Sequence, residues 1–552
     1  MSTPEKHSIS HQTHEVFNQV PLLVDYNLFE SDNTLVTSLK REGGAWATDQ
    51  VSNFGQLLGK AETIQLGIQA NDNPPILRTH DRYGYRIDEV EFHPAWHSLM
   101  KISVENGVHS LPWRDPKPGA HVARAAMAHL ITQIESGHLC PISMTYSVIP
   151  ALRKEPKIAA EWESKITSNS YDQNFRPVSQ KTGAIMGMAM TEKQGGSDVR
   201  ANTTRAVAYG TEGEYLITGH KWFCSAPMSD AFLVLAQTAN GLTCFLLPRW
   251  TPEGKRNNFH LQRLKSKLGN KSNASSEVEF REAFAYRVGA EGKGVQTIIE
   301  MVTHTRLDCV IASSGLMRQA LVQALHHCTH RSTFGKKLID QALMRNVLAD
   351  LAIESQAATI LMMRLARSFD KRDDQEFEGP FQRIATAISK YWVCKRAVSH
   401  IYESLECLGG NGYVEDSNMP RIYREAPLYS IWEGSGNVIC LDVLRAASKE
   451  PQSMQALMQE ILLAKGGNSH LDNFTQGLTK EISELSSNNN IETQSRRLVE
   501  RLTLALQGSL LVRYGNQAVA DAFCITRLSG DWGNCFGTLP SNIDLQAILA
   551  NV

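Results

Sequence analysis

Met190-Thr191-Glu192-Lys193-Gln194-Gly195-Gly196-Ser197-Asp198 stands where the chain changes character. Upstream, from about 29 to 165, apolar residues recur at helical spacing, as in 55–70 and 121–136. Downstream, from about 183 to 288, the pattern shortens to strand-like runs at 214–223, 231–237, 243–248 and 275–280. Val278 and Phe280 alternate around Glu279, and Gly, Asn and Pro separate the runs, which predicts an antiparallel β domain. After Gly294 helical periodicity returns over 295–331, 342–369 and 381–408, long enough for a helical bundle. The stretch itself can carry chemistry. Backbone N–H groups around Gly195 and Gly196 can cradle a pyrophosphate, with Thr191 and Ser197 as donors to it or to a ring oxygen. It is not a dinucleotide fingerprint of a βαβ unit, and a plain helix-to-strand loop accounts for the same string.

The rest of the chain sets the frame. At 552 residues it exceeds one core, so several domains are expected: 1–182 helical, 183–288 β, 289–451 a helical bundle and 452–552 a further helical segment. The last includes a Ser-Asn loop near 486–490. A 42% hydrophobic and 20% charged composition describes an ordinary soluble protein. A net charge of −1 gives no global pull toward nucleic acid or membrane, so any such binding needs a local patch. The ten cysteines show no C-x-x-C spacing, which favours reduced thiols over a disulfide framework or zinc site. Residues 1–20 are polar, unlike a secretory signal, and no segment reaches the roughly 18 apolar residues of a membrane span. The expected setting is cytoplasmic, without membrane contact.

Further motifs follow. Lys221-Trp222-Phe223-Cys224-Ser225 ends a strand, where an aromatic beside a hydroxyl suits a flat heterocycle, or simply the core. Arg331-Ser332-Thr333-Phe334-Gly335, with Gln341 beyond, offers a guanidinium and a ring for a phosphate and an adenine. A capped helix end reads the same way. Glu406-Cys407-Leu408-Gly409-Gly410-Asn411-Gly412-Tyr413 is a second glycine-rich turn. His326 and His330 have the i, i+4 spacing of zinc ligands, but no third ligand is near, so a helix face or subunit contact is expected and no metal. Last comes Ile431-Trp432-Glu433-Gly434-Ser435-Gly436-Asn437. Trp432 can keep the Glu433 carboxylate in apolar surroundings, which raises its pKa. Gly434 and Gly436 allow close backbone approach to a flat ligand, and Ser435 and Asn437 supply donors. A helix boundary is the plain alternative.

In their order and spacing these motifs resemble the acyl-CoA dehydrogenase family. Residues 190–201 match its T-E-x-x-G-G-S-D signature. Residues 406–425 match its second, an acidic residue and G-G-x-G-Y followed by Asp416, Arg421 and Glu425. The resemblance implies an α+β, mostly α fold: a helical domain, a middle antiparallel β-barrel and a helical bundle, usually in a homotetramer that binds FAD. It implies FAD contacts from Met190, Thr191, Gln194, Gly195, Gly196 and Ser197, and from Trp222, Phe223, Cys224 and Ser225 at the isoalloxazine. Ile431, Trp432, Gly434, Ser435, Gly436 and Asn437 join that set. Arg331, Phe334, Gln341, Gly409, Gly410, Asn411 and Gly412 are implied to reach the FAD of a neighbouring subunit. Glu433 matches the carboxylate that removes the substrate α-proton.

Three departures narrow the resemblance. The N-terminal part is longer than the family needs. Cys224, Ala226 and Pro227 stand where metabolic members carry Ile, Asn and Gly. About 100 residues follow the bundle. With His11-Gln12-Thr13-His14, Asn73-Pro74-Pro75, 92–97 and 140–145, these features are similar to the AidB-type branch, flavoproteins of the adaptive response to DNA alkylation. That likeness implies double-stranded DNA binding through the C-terminal segment and weak dehydrogenase activity toward small acyl-CoA such as isovaleryl-CoA. A metabolic short- or branched-chain acyl-CoA dehydrogenase without a DNA role is the alternative. Beyond 450 the acids outnumber the bases, so a DNA surface would have to gather Arg445, Arg497, Arg501, Arg513 and Arg527. Arg497 and Arg501 lie one helical turn apart, as they also would on a plain solvated helix.

Overall fold

A computed structural model describes residues 13–485 and 491–552; the 486–490 loop, His11 and Gln12 lie outside the described residues. The N-terminal part holds α1 (Asn33–Leu39), α2 (Thr48–Leu58), α3 (Ala61–Asp72), α4 (Pro94–Glu105), α5 (Leu111–Arg114), α6 (Ala120–Thr132), α7 (Leu139–Ser147), α8 (Ile149–Leu152) and α9 (Pro156–Ile166). The single helix expected over 55–70 is two. Asp25 donates its N–H to the Gly59 carbonyl at 2.7 Å and accepts the Ala61 N–H on its carboxylate at 3.1 Å. These contacts satisfy the end groups of both helices at the break.

Sequence periodicity also missed a hairpin within this helical part, β1 (Ile76–His80) against β2 (Arg86–Glu91). Its turn is held by the Asp81 carboxylate, which accepts the Tyr83 and Tyr85 N–H groups at 2.8 and 2.9 Å.

Seven strands form the middle region: β3 (Met186–Ala189), β4 (Arg205–Ala208), β5 (Glu214–Ser225), β6 (Ala231–Thr238), β7 (Gly241–Pro248), β8 (Phe259–Leu264) and β9 (Ser275–Val288). Pairing runs β3-β6-β4-β5-β9-β7, and β6 also pairs β7, which closes a ring; β8 pairs β9. The sheet is not wholly antiparallel as expected. β3 runs parallel to β6, and β4 meets β6 in parallel at Arg205 and Gln237. Long excursions separate these partners, so the chain can return in the same direction. Alternation along β6 explains why it is buried throughout. Phe232, Val234 and Ala236 fill the barrel interior, while Ala231, Leu233 and Leu235 face the helices.

The bundle consists of α10 (Gly294–His330), α11 (Ala342–Asp370), α12 (Glu378–Glu406), α13 (Gly410–Tyr413), α14 (Met419–Tyr429) and α15 (Gly436–Lys449). The extra C-terminal helices α16 (Pro451–Leu462), α17 (Ser469–Leu485), α18 (Ile491–Tyr514), α19 (Gln517–Phe523) and α20 (Leu545–Leu549) pack on it. One apolar core runs from Leu28 through the bundle to Ile548. No helix among the described residues is long and apolar enough to cross a membrane.

Candidate active site

Where the barrel meets the bundle, a cavity of about 600 Å³ joins the two ends of the motif series. Met190, Thr191, Gly196 and Ser197 line it from the loop after β3, and Phe223 and Ser225 from the end of β5. The turn between α14 and α15 contributes Ile431, Trp432, Glu433, Gly434 and Ser435. Residues from α6, α7 and α10 complete the wall.

The loop after β3 is anchored through Glu192, whose side chain is wholly buried. Glu192 accepts from Lys221 Nζ at 2.8 Å, from the Thr203 and Thr204 N–H groups and from Gln194 Nε2. These contacts hold its carboxyl far below the usual range despite burial, and Gln194 is spent on them. Trp222 donates its backbone N–H to the Thr191 carbonyl at 2.8 Å, tying loop to strand. A Cβ on Gly196 would meet Thr191 Oγ1 at 2.3 Å, whereas nothing lies within 4 Å of one on Gly195. The Gly195 backbone is therefore open to an incoming phosphate.

A bulge between Lys221 and Cys224, and strand alternation after it, split the β5 motif. Phe223 and Ser225 face the cavity, with the Ser225 hydroxyl 3.3 Å from that of Ser275. Cys224 lies on the other face, buried in the barrel core, and Trp222 sits under Lys265 Nζ at 3.2 Å from its ring centre. The side-chain contacts to a flat ligand expected of Cys224 and Trp222 are corrected accordingly.

Glu433 is held from three sides. Thr305 Oγ1 donates to Glu433 Oε2 at 2.8 Å, Arg306 Nε donates to the Glu433 carbonyl at 3.0 Å, and Lys390 Nζ bonds the Gly434 carbonyl. Arg306 in turn bonds Asp442 at 2.8 Å. Glu433 adopts φ of 59°, a left-handed conformation that costs a residue with a Cβ about 1–2 kcal/mol, so the clamp has strain to oppose. The residue keeps some accessible surface through the cavity mouth while its carboxyl lies inside. Burial raises the Glu433 pKa above the ordinary carboxylate value. Thr305, Arg306 and Lys390 pull it back down, and Asp308 adds to the rise. Trp432 packs against both the bundle core and the helix–barrel core, with Tyr429 at 5.5 Å between ring centres.

Sequence reasoning missed Thr305, Arg306 and Lys390, together with Arg124, Asp308 and Lys267, which also line the cavity or hold its turn. Arg124 grips Asp308 bidentately, with its second contact at 2.9 Å. Lys267 donates to Ser275 Oγ at 3.2 Å, and burial lowers its pKa to about 8.

Other sequence candidates fall elsewhere. Gly436 and Asn437 open α15 and do not line the cavity. Arg331, Phe334, Gln341 and Gly409–Gly412 do not line it either. Arg331 follows α10, on which Thr305 lies 26 residues earlier, roughly 39 Å along the axis. Its guanidinium bonds the Asn18 carbonyl at 2.6 Å, and Gln341 bonds that of Thr333. Phe334 is fully exposed, and no atom lies within 4 Å of a Cβ on Gly409 or Gly410. His326 is spent on the Pro21 carbonyl at 2.8 Å, with the His330 ring 4.4 Å away.

The C-terminal arginines are corrected most. Arg527 is buried on Asp350 and Glu354, the latter at 2.9 Å. Arg513 holds Glu460 at 2.8 Å. Arg501 binds Glu481 at 2.8 Å, with Arg497 at 3.5 Å from the same carboxylate. Of the five, Arg445 and Arg497 are exposed.

Residues 18–173 match the adaptive response protein AidB N-terminal domain, 187–283 the acyl-CoA dehydrogenase middle domain, and 292–448 the acyl-CoA dehydrogenase C-terminal domain. The chain is 45% identical to the AidB protein of Escherichia coli over 93% of its own length and 94% of the relative's. It is 30% identical to acyl-CoA dehydrogenase family member 11 of Caenorhabditis elegans, over 91% and 83% of the two chains. The crystal structure of Caenorhabditis elegans ACDH-11 in complex with C11-CoA superposes with a TM-score of 0.85 at 27% identity, covering 94% and 92% of the two chains. The chain therefore belongs to the AidB-like branch of the acyl-CoA dehydrogenase family of FAD-dependent oxidoreductases.

Proposed function

We propose that the cavity oxidises the Cα–Cβ bond of a small acyl-CoA, with Glu433 as the base that takes the α-proton. The carrying observation is a single space that receives the Glu433 carboxyl from the bundle and Thr191, Phe223 and Ser225 from the barrel. An acyl thioester's α-proton is weakly acidic, so its removal needs a base of raised pKa in a dry site. Burial supplies that, and Thr305 and Arg306 aim the carboxylate. FAD, when bound, supplies the acceptor for the hydride leaving the β-carbon. The open backbone at Gly195, the Thr191 and Ser197 hydroxyls and the Phe223 ring fit its phosphate and flat ring. Arg331, Phe334, Gln341 and Gly409–Gly412, which do not line this chain's own cavity, would serve the cofactor of a neighbouring chain in a cytoplasmic homotetramer. Anaerobic flavin bleaching by a series of acyl-CoAs tests the proposal. Bleaching by short or branched chains, abolished in Glu433→Gln, supports it; equal bleaching by the variant overturns it.

A second reading, duplex DNA binding in the response to alkylation, is supported by the 45% identity to AidB along most of the chain. Of the five arginines named for it, Arg445 and Arg497 are exposed. Affinity for a duplex that falls steeply with salt, and less steeply in Arg445→Glu with Arg497→Glu, is the expected result. Salt-independent binding would remove this reading.

A further inference from the structure

A second cavity, of about 740 Å³, opens where the start of α6 meets the π-helical turn Lys40–Gly44 and the link from α11 to α12. Six cations line it, Arg41, Lys117, Arg153, Arg367, Lys371 and Arg372, against three carboxylates, Glu42, Asp370 and Asp373. Two of those acids are already engaged. Glu42 sits between Arg41 at 2.7 Å and Arg367 at 3.0 Å. Asp370 accepts the His121 and Val122 N–H groups at 2.8 and 3.2 Å, capping α6. Asp373 is fully exposed and 3.9 Å from Arg372, too far and too wet to neutralise it. Lys371 enters no ion pair among the described residues. Lys117 is paired with Asp115 at 2.7 Å, Arg153 with Glu163 at 2.6 Å and Arg367 with Glu378 at 3.3 Å, so the free positive charge of the cavity is that of Lys371 and Arg372.

Its apolar wall carries the Trp113 ring, with the Arg153 guanidinium 5.5 Å from the ring centre. Trp113 lines it with Phe369 and four prolines, and the Trp113 indole N–H donates to the Tyr146 carbonyl at 2.8 Å, which fixes the ring. A fixed aromatic ring beside the Arg372 guanidinium and the Lys371 ammonium suits a ligand with one flat ring and several phosphate oxygens. We propose that this cavity binds a nucleoside di- or triphosphate, with the base against Trp113 and the phosphates at Lys371 and Arg372.

The site is separate from the Glu433 cavity. His121 lines the second cavity, and its Nδ1 lies 2.6 Å from the Tyr146 hydroxyl. The Arg124 guanidinium covers the Tyr146 ring at 3.7 Å, and Arg124 with Asp308 lines the first cavity. Tyr146 and Arg124 therefore fill the wall between the two, and both cavities can be occupied at once.

Isothermal titration calorimetry of the FAD-loaded full chain tests this, with ADP, inorganic pyrophosphate and adenosine as probes. ADP is expected to bind at one site, more tightly than either fragment. Lys371→Glu with Arg372→Glu is expected to weaken ADP at least about tenfold while leaving flavin bleaching by acyl-CoA unchanged. Lys371→Glu alone, at an exposed position, gives a smaller loss in the same direction. Trp113→Leu is expected to weaken ADP and leave pyrophosphate unchanged. Protein saturated with acyl-CoA still binds ADP. The proposal is overturned by no ADP binding at about 1 mM, the weak end of specific association, by equal affinity in the double variant, or by displacement of ADP by acyl-CoA.

Discussion

Thr305 and Glu433 lie 128 residues apart in sequence and 2.8 Å apart in space, the threonine hydroxyl donating to the glutamate carboxylate. A donor to the ionised form lowers a carboxyl's pKa, so Thr305 opposes the rise that burial imposes on Glu433. On the proposed mechanism the base works ionised, and the rate rises with pH through its pKa. Thr305→Val removes the donor, so the acid limb of the pH–rate profile moves to higher pH. The expected shift is up to about one pH unit, matching a net hydrogen bond of about 1 kcal/mol. Measuring kcat/KM against pH checks it; a shift to lower pH would contradict the geometry.

Glu433 also stores strain. Its left-handed backbone would suit glycine, which meets no Cβ clash there, and its carboxyl is desolvated. Glu433→Gly is therefore expected to abolish flavin bleaching while raising the thermal unfolding midpoint, by about 1 kcal/mol of stability. Calorimetry of wild type and variant, both loaded with FAD, decides it. A lowered midpoint would mean that the Thr305 hydrogen bond outweighs the strain.

The parts of the site legible in sequence are those in which the chemistry is local. The Thr191 loop and the Glu433 turn each place glycine, hydroxyl and carboxylate within a few residues, so the pattern carries its own meaning. The helix–sheet–helix order was legible for the same reason, because periodicity is a local property. The clamp was not. Arg306 and Lys390 reach the Glu433 turn from 127 and 44 residues away, on helices whose only sequence signal is amphipathic spacing. Likewise, Trp222 and Cys224 belong to a string that suggests a ligand, but Cys224 points into the barrel core and a bulge between Lys221 and Cys224 leaves Trp222 under Lys265, outside the cavity lining.

Arg527 illustrates the cost of reading charge without partners. It sits between Asp350 and Glu354 of α11, which it meets from beyond α19, and its guanidinium also covers Trp532 at 4.2 Å. Removing one partner of a buried ion pair leaves the other unpaired and costs about 3–5 kcal/mol. Arg527→Ala is expected to lower the unfolding midpoint and leave the salt slope of DNA binding unchanged. Arg497→Glu is expected to do the reverse. Paired thermal melts and binding titrations across salt check both. A lower salt slope in Arg527→Ala at unchanged stability would return Arg527 to the surface.

Glu425 sets a pH dependence of the opposite kind to an ordinary ion-paired acid. It is buried, accepts the Asn270 N–H at 2.6 Å and the Asn270 side-chain amide at 3.1 Å, and its pKa is raised to about 7. Burial is the main cause and the nearby Glu135 adds to it, while Asn270 and Arg421 pull the other way. A carboxyl whose folded pKa lies above its unfolded value binds its proton more tightly when folded. Stability is therefore full below the unfolded pKa near 4.5 and falls as pH rises toward 7, then levels off. A rise of this size corresponds to about 3 kcal/mol at most, less any relaxation of the site. Glu425→Gln keeps an acceptor for the Asn270 N–H and removes the titration. It is expected to match wild type near pH 5 and exceed it at pH 8 in chemical denaturation. If the difference between wild type and variant instead stays level from pH 5 to pH 8, Glu425 is held ionised in the folded protein and Arg421, not burial, governs it.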